Sequence, residues 1–206
     1  MRQLAIECTS EACSIALFED GALIANTHQE LGRGHAERLI PFIAELPDKG
    51  KAERILVSLG PGSFTGVRIG IAAARALGFA WEAEVLGYPT LALVAATARS
   101  AHPDSPVTSC MNGGHGEWFV QDFGADGLPE GELAAVAVEA AMARSAHPIV
   151  AGNRADERCA GSALTPHNIL PDARHTPLIP AQLITDDLTP LYGRAPDATL
   201  PAKKNE

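Results

Sequence analysis

The chain has 206 residues, 46% of them hydrophobic and 20% charged, with a formal net charge of -9. That hydrophobic fraction can bury a core and excludes wholesale disorder, while the carboxylate surplus excludes a broad, self-sufficient grip on nucleic acid or anionic lipid, which needs clustered Lys and Arg. Cys8, Cys13, Cys110 and Cys159 include no C-x-x-C pair and are too sparse for a disulfide scaffold. No run approaches the ~18 apolar residues of a membrane span, and Glu7 stands where a signal peptide would be apolar. The expectation is a soluble protein of the cytoplasm with reduced thiols.

Along the chain, the apolar runs 4–7 and 13–18 flank the polar bend Thr9-Ser10-Glu11, and Asp20-Gly21 precedes Leu23-Ile24 as a tight hairpin turn. A three-stranded antiparallel meander is predicted. After Gly32-Arg33-Gly34, residues 35–46 place Leu39, Ile40, Phe42, Ile43 and Leu46 at helical spacing, with Pro41 implying a kink or a late helix start. A buried strand over 55–59, a glycine-rich loop over 60–66, an apolar helix over 66–81, a strand over 85–87 and a helix over 91–98 capped by Thr90 complete a βββαβαβα first half.

The polar, Pro-containing stretch 101–106 marks the candidate domain boundary. Beyond it the pattern predicts strands over 107–111 and 118–123, a turn at Asp126-Gly127, an Ala-rich helix over 133–144 and a short strand over 149–151. Pro166, Pro171, Pro177, Pro180 and Pro190 forbid any long helix after Gly161. The second half is expected to be smaller and less regular.

The loop Gly60-Pro61-Gly62-Ser63-Phe64-Thr65-Gly66 precedes a helix N-terminus, where backbone N–H groups can cradle an anion. Thr65 stands where a dinucleotide fingerprint needs glycine, Val67 where a Walker loop needs lysine, and Pro61 and Thr65 where a nucleophile elbow needs glycines. Structural turn and ligand cradle both remain open, the turn ahead. Gly66, Gly70, Ala74 and Gly78 recur every four residues, so one helix face allows close approach of another backbone, from this chain or a partner. Arg68 and Arg75 read either as a clamp for a partner's carboxylates or as solubilising charge. The seven histidines include no pair three or four apart, so no helix presents two imidazoles to a metal. Glu7, Thr9 and Ser10 at the first strand's end suit either a phosphate with its cation or a solvated turn.

GPGSFTGVRIG (60–70), preceded by HAERLIPFI (35–43) and IECTSEACSIALFEDG (6–21), closely resembles the TsaB family, also called YeaZ. The likeness spans most of residues 6–87, with weaker matches at NGGHGE (112–117) and PLYGRAP (190–196). It implies the actin-like ATPase, sugar-kinase-like (RNase H-like) α/β fold: two βββαβαβα-type domains, 1–100 carrying interface helices and a reduced, irregular 101–206.

The functional implication is a non-catalytic scaffold and dimerisation subunit of the machinery that makes threonylcarbamoyladenosine next to the transfer RNA anticodon. Such a subunit is a degenerate paralogue of the TsaD transferase, lacking its His-x-x-x-His metal helix. It pairs with TsaD, helps recruit a TsaE-type ATPase, forms a homodimer when alone and meets transfer RNA indirectly. On this resemblance Leu39, Phe42, Ile43, Val67, Arg68, Gly70, Ile71, Ala74 and Arg75 build the partner interface, and Glu7, Thr9, Ser10, Gly60, Gly62 and Ser63 are the nucleotide or phosphate positions. No metal site and no required cofactor are implied. ATP with magnesium stays open, although Glu7 replaces the family's first-strand Asp and Asn112 an acidic residue. The short segment 47–53 is expected to truncate one interface helix. The competing reading is a glycoprotease-like peptidase or an ATP-dependent phosphotransferase of the same fold.

Overall fold

The computed structural model describes residues 1–193 and is built on two five-stranded sheets. In the first, β1 (Arg2–Glu7), β2 (Ala12–Glu19) and β3 (Ala22–Glu30) form the antiparallel meander. β4 (Arg54–Ser58) and β5 (Glu84–Tyr88) join in parallel on the other side of β1, for an order β3-β2-β1-β4-β5. The second sheet repeats this plan: β6 (Val107–Gly114), β7 (Glu117–Phe123) and β8 (Ala134–Ala137) are antiparallel, while β9 (Ile149–Ala151) and β10 (Thr165–His167) run parallel to β6. Its order, β8-β7-β6-β9-β10, matches the first strand for strand. Two mixed sheets of one topology define the actin-like, RNase H-like α/β fold.

Alternation along β1 explains how the first sheet is covered on both faces. Leu4 and Ile6 meet α1 (His35–Glu45) and α2 (Phe64–Trp81) through Leu39, Phe42, Val67 and Ile71, whereas Ala5 faces the opposite side with Leu93 and Ala96 of α3 (Thr90–Ala101). Residues 90–98 of α3 are buried throughout, because the other side of that helix packs on Val107, Met111, Phe119 and Phe123 of the second sheet. A helix covered all round reads as continuously apolar. The outer face of the second sheet is closed by α4 (Val138–Ala143) and α5 (Ala155–Cys159) over Cys110, Trp118 and Val150.

Three local expectations are corrected, and one element is new. Pro41 does not delay α1: it lies inside a helix that starts at His35 and exposes the proline to solvent. Thr90 does not cap α3 with its side chain, because its hydroxyl is buried against Ser58 Oγ at 2.6 Å. The Ala-rich segment 133–144 is not one helix. Ala134–Ala137 pairs with β7 as an edge strand and only Val138–Ala143 coils, so ladder hydrogen bonds outweigh the modest helical preference of alanine. The short α5 was not anticipated, its five residues being too few to show a period.

Candidate functional site

Two surfaces collect the residues singled out by sequence: a cleft where the two halves face each other, and the layer of α1 and α2. The cleft has a volume of about 910 Å³ and is bounded by the β1–β2 turn (Thr9, Ser10), the start of α1, the glycine-rich loop, the β6–β7 turn and Tyr192. Asn153 spans the two halves, its side-chain nitrogen lying 3.1 Å from Glu11 while its oxygen accepts from the Asn112 N–H at 2.8 Å. Sequence reasoning missed this clasp because its partners are far apart in the chain and polar.

The glycines of the loop are explained by close packing within the chain. A Cβ on Gly62 would collide with the Thr9 carbonyl, one on Gly66 with the Cys8 carbonyl, and one on Gly60, at φ +98°, would come within 2.8 Å of the Leu191 carbonyl. Such positions admit only glycine. Ser63 is engaged within the chain as well: its N–H donates to the Thr9 carbonyl at 2.7 Å, and its Oγ caps α2 by accepting from Gly66 N–H at 3.2 Å. With this cap α2 begins at Phe64, two residues before the predicted start.

Glu7 does not reach the cleft. Its carboxylate is fully buried and accepts from Thr9 N–H at 2.7 Å and Thr9 Oγ at 2.6 Å, with the Tyr88 hydroxyl at 3.4 Å. Burial pushes its pKa up, against the hydrogen bonds from Thr9, Ser58 and Tyr88. Thr9 Oγ is further tied to Thr90 Oγ at 3.1 Å, so Glu7, Thr9, Ser58, Tyr88 and Thr90 form one sealed polar network. Of the predicted nucleotide positions, Thr9, Ser10, Gly62 and Ser63 line the cleft, while Glu7 and Gly60 do not.

On the helical layer the predicted interface divides. Leu39, Phe42, Ile43, Val67, Gly70, Ile71 and Ala74 are buried within this chain and face its own sheet, so they seat the helices and are not the surface a partner meets. Gly70 brings α2 to the sheet, its would-be Cβ lying 3.4 Å from Val57, and a Cβ on Gly78 would collide with Val85. The four-residue glycine spacing therefore serves internal packing. Arg68 and Arg75 are exposed. The outward line consists of Ile40 and Ala44 on α1 and Ala72, Ala76, Phe79 and Ala80 on α2, with Ile40 49% and Phe79 91% exposed.

At the N-terminal end of α2, Arg68 stacks 3.6 Å from the Phe64 ring centroid and donates from Nε to the Tyr192 hydroxyl at 3.1 Å. The Phe64 and Tyr192 rings lie 4.9 Å apart. Tyr192 belongs to the closing PLYGRAP motif, whose residues 194–196 fall outside the described residues.

Among the described residues no group of three His, Cys, Asp or Glu side chains is placed to hold a metal ion. No described helix is long and apolar enough to cross a membrane.

The family model described as TsaD, tRNA N6-adenosine threonylcarbamoyltransferase, matches residues 24–177. The chain belongs to that family, within its TsaB (YeaZ) members. It is 36% identical over 140 residues to the tRNA threonylcarbamoyladenosine biosynthesis protein TsaB of Escherichia coli (strain K12), covering 64% of this chain and 60% of that protein. Its likeness to the TsaB of Haemophilus influenzae is 34% over 116 residues, covering 53% and 48%. The matched stretches thus span about half to three-fifths of those relatives' own lengths. The solved structure of YeaZ from Pseudomonas aeruginosa superposes with a TM-score of 0.74 at 25% identity, covering 93% of this chain and 99% of that one.

Proposed function

We propose that this chain is the non-catalytic TsaB-type subunit of a threonylcarbamoyladenosine-forming complex, binding and stabilising a TsaD-type transferase. The observation that carries the reading is the outward apolar line of Ile40, Ala44, Ala72, Ala76 and Phe79 across two adjacent helices, flanked by Arg68 and Arg75. A side chain as large as Phe79 left 91% exposed beside a row of small residues is what a docking face requires, since alanines let a second helix approach closely. The absence of a His-x-x-x-His helix from the sequence supports the non-catalytic role, and the names of the relatives support the pathway. In this reading the same face joins two copies when the transferase is absent, a TsaE-type ATPase joins the assembled pair in the cytoplasm, and transfer RNA is held mainly by the other subunits.

The test is gel filtration of the purified chain with its cognate transferase. Co-elution is expected, and Phe79→Asp or Ile40→Asp should separate the two while leaving the chain folded; separate peaks for the unaltered proteins would overturn the reading. Depleting the protein in its host and measuring the modified adenosine tests the pathway, with unchanged levels returning attention to the peptidase and phosphotransferase readings.

A second reading, nucleotide held in the cleft, is favoured by its volume of about 910 Å³ and opposed by the engagement of Glu7 inside the sheet. Calorimetry with ATP and magnesium decides: millimolar or no binding leaves the glycine-rich loop as a structural element.

A further inference from the structure

We propose that Cys8 and Cys13 are an oxidisable thiol pair that closes a disulfide across the β1–β2 turn when the protein meets a hydroperoxide. The two sulfurs lie 3.6 Å apart, both side chains buried beneath α1 and α2. The pairing of β1 with β2 ends at Glu7↔Ser14, and one further step of the same register sets Cys8 opposite Cys13. Directly opposed residues of an antiparallel pair have Cα atoms ~4.5–5.5 Å apart, inside the ~4.4–6.8 Å window of disulfides. Only the sulfurs need to move, by about 1.5 Å in total, to reach the ~2.05 Å bond.

The remaining thiols show what is particular to this pair. Cys110 and Cys159 belong to one apolar cluster of the second half, yet no sulfur contact joins them, and burial pushes the Cys110 pKa up to about 12. In the first pair the shared hydrogen bond separates the two thiols: it raises Cys8 and lowers Cys13, the latter against burial and the nearby Glu7, with the positive charge of Arg38 a smaller aid. Cys13 is therefore the first nucleophile. Its thiolate attacks one peroxide oxygen, the O–O bond breaks, and an alcohol or water departs with the proton, leaving a sulfenic acid. The Cys8 sulfur then attacks the Cys13 sulfur and expels water. Two thiols and one hydroperoxide thus give one disulfide, one alcohol and one water, the two electrons coming from the thiols. The covalent link between the cysteines, Thr9 to Ala12, includes the Thr9, Ser10 and Glu11 edge of the cleft, so the product braces that edge.

The reduced full-length chain is treated natively with hydrogen peroxide, quenched, alkylated in denaturant and digested with trypsin. Both cysteines fall in one peptide, residues 3–33. The expected product is that peptide two hydrogens lighter and unalkylated, restored by dithiothreitol, while the Cys110 and Cys159 peptides remain alkylated. Both cysteines alkylated after treatment, Cys13 converted to sulfinic acid with Cys8 still free, or the bond appearing only in unfolded protein would each overturn the proposal. Cys8→Ala should abolish the light peptide and carry Cys13 on to sulfinic acid. If that variant does not fold, the wild-type mass shift, with native circular dichroism before and after, decides alone.

Discussion

The two sheets share one strand order but wear different helices on their outer faces. The first carries α1 and α2, of 11 and 18 residues; the second carries α4 and α5, of 6 and 5. The short pair still closes the second sheet, burying Cys110, Trp118, Val120 and Val150. A five-stranded sheet of this topology therefore does not need an 18-residue helix to seal its core. The additional length of α2 supplies surface, and that surface is where Ala72, Ala76, Phe79 and Ala80 stand. The contrast assigns the inward side of the helical layer to stability and leaves its outward side exposed, where the proposed docking would take place.

The sharpest way to break this contrast is to place one charge on each side of α1. Phe42→Asp sets a carboxylate in the sealed layer and should cost more than about 4 kcal/mol, enough to lose the folded chain. Ile40→Asp, two residues away and half exposed, should change stability by no more than about 0.5 kcal/mol in chemical denaturation. Equal losses would mean that the outward side also belongs to the core.

Next in size, Gly66→Ala and Gly152→Ala probe matching close approaches in the two halves. The added methyl would collide with the Cys8 carbonyl in one and the Cys110 carbonyl in the other, and Gly152 has φ +120° besides. Each should cost about 1–3 kcal/mol or more by thermal unfolding. A neutral Gly66→Ala would return the loop to ligand binding as the reason for its glycines.

Smaller effects come from two buried carboxylates that answer pH in opposite senses. Glu7 has a raised pKa in the folded chain, so between its ordinary value near 4.5 and the folded value the native state holds the extra proton, and stability falls as pH rises through that window. Glu7→Gln keeps an acceptor for Thr9 and should remove this decline, leaving the variant at least as stable at neutral pH. For Asp172, burial acts upward but hydrogen bonds from Arg174 more than offset it, so the pKa is lowered. Its contribution is present above its ordinary value near 3.8 and is lost as pH falls through the folded value. Unfolding curves of wild type, Glu7→Gln and Asp172→Asn across acid pH check both signs. The smallest expected effect is Arg68→Ala, which removes an exposed stack on Phe64 and Tyr192 worth about 0.5–1 kcal/mol.

Much of the fold was legible because its signals are local. The β1–β3 meander, the helix over 35–46 and the GPGSFTG loop follow from alternation, helical spacing and turn chemistry, each contained within a dozen residues. The site was less legible. Both sides of α2 are apolar, Val67, Ile71 and Ala74 on one and Ala72, Ala76 and Phe79 on the other, so periodicity marks a helix without saying which side its own sheet takes. Glu7, Thr9 and Ser10 read as a polar strand end open to ligand, whereas Tyr88 and Thr90, some eighty residues on, enclose the first two in a satisfied network. The segment 133–144 failed for a related reason: its edge-strand half exists only because β7 offers a ladder.

By itself the sequence determined the class of fold, the order of the first half's elements and the family, since these rest on patterns of neighbouring residues and on contiguous motifs. Tertiary structure alone decided which face of each helix is covered, that Glu7 is sealed while Phe79 is open, and that Cys8 meets Cys13. Burial and pairing depend on which distant segment fills each side of an element, and that information is carried by packing between segments rather than by any one of them.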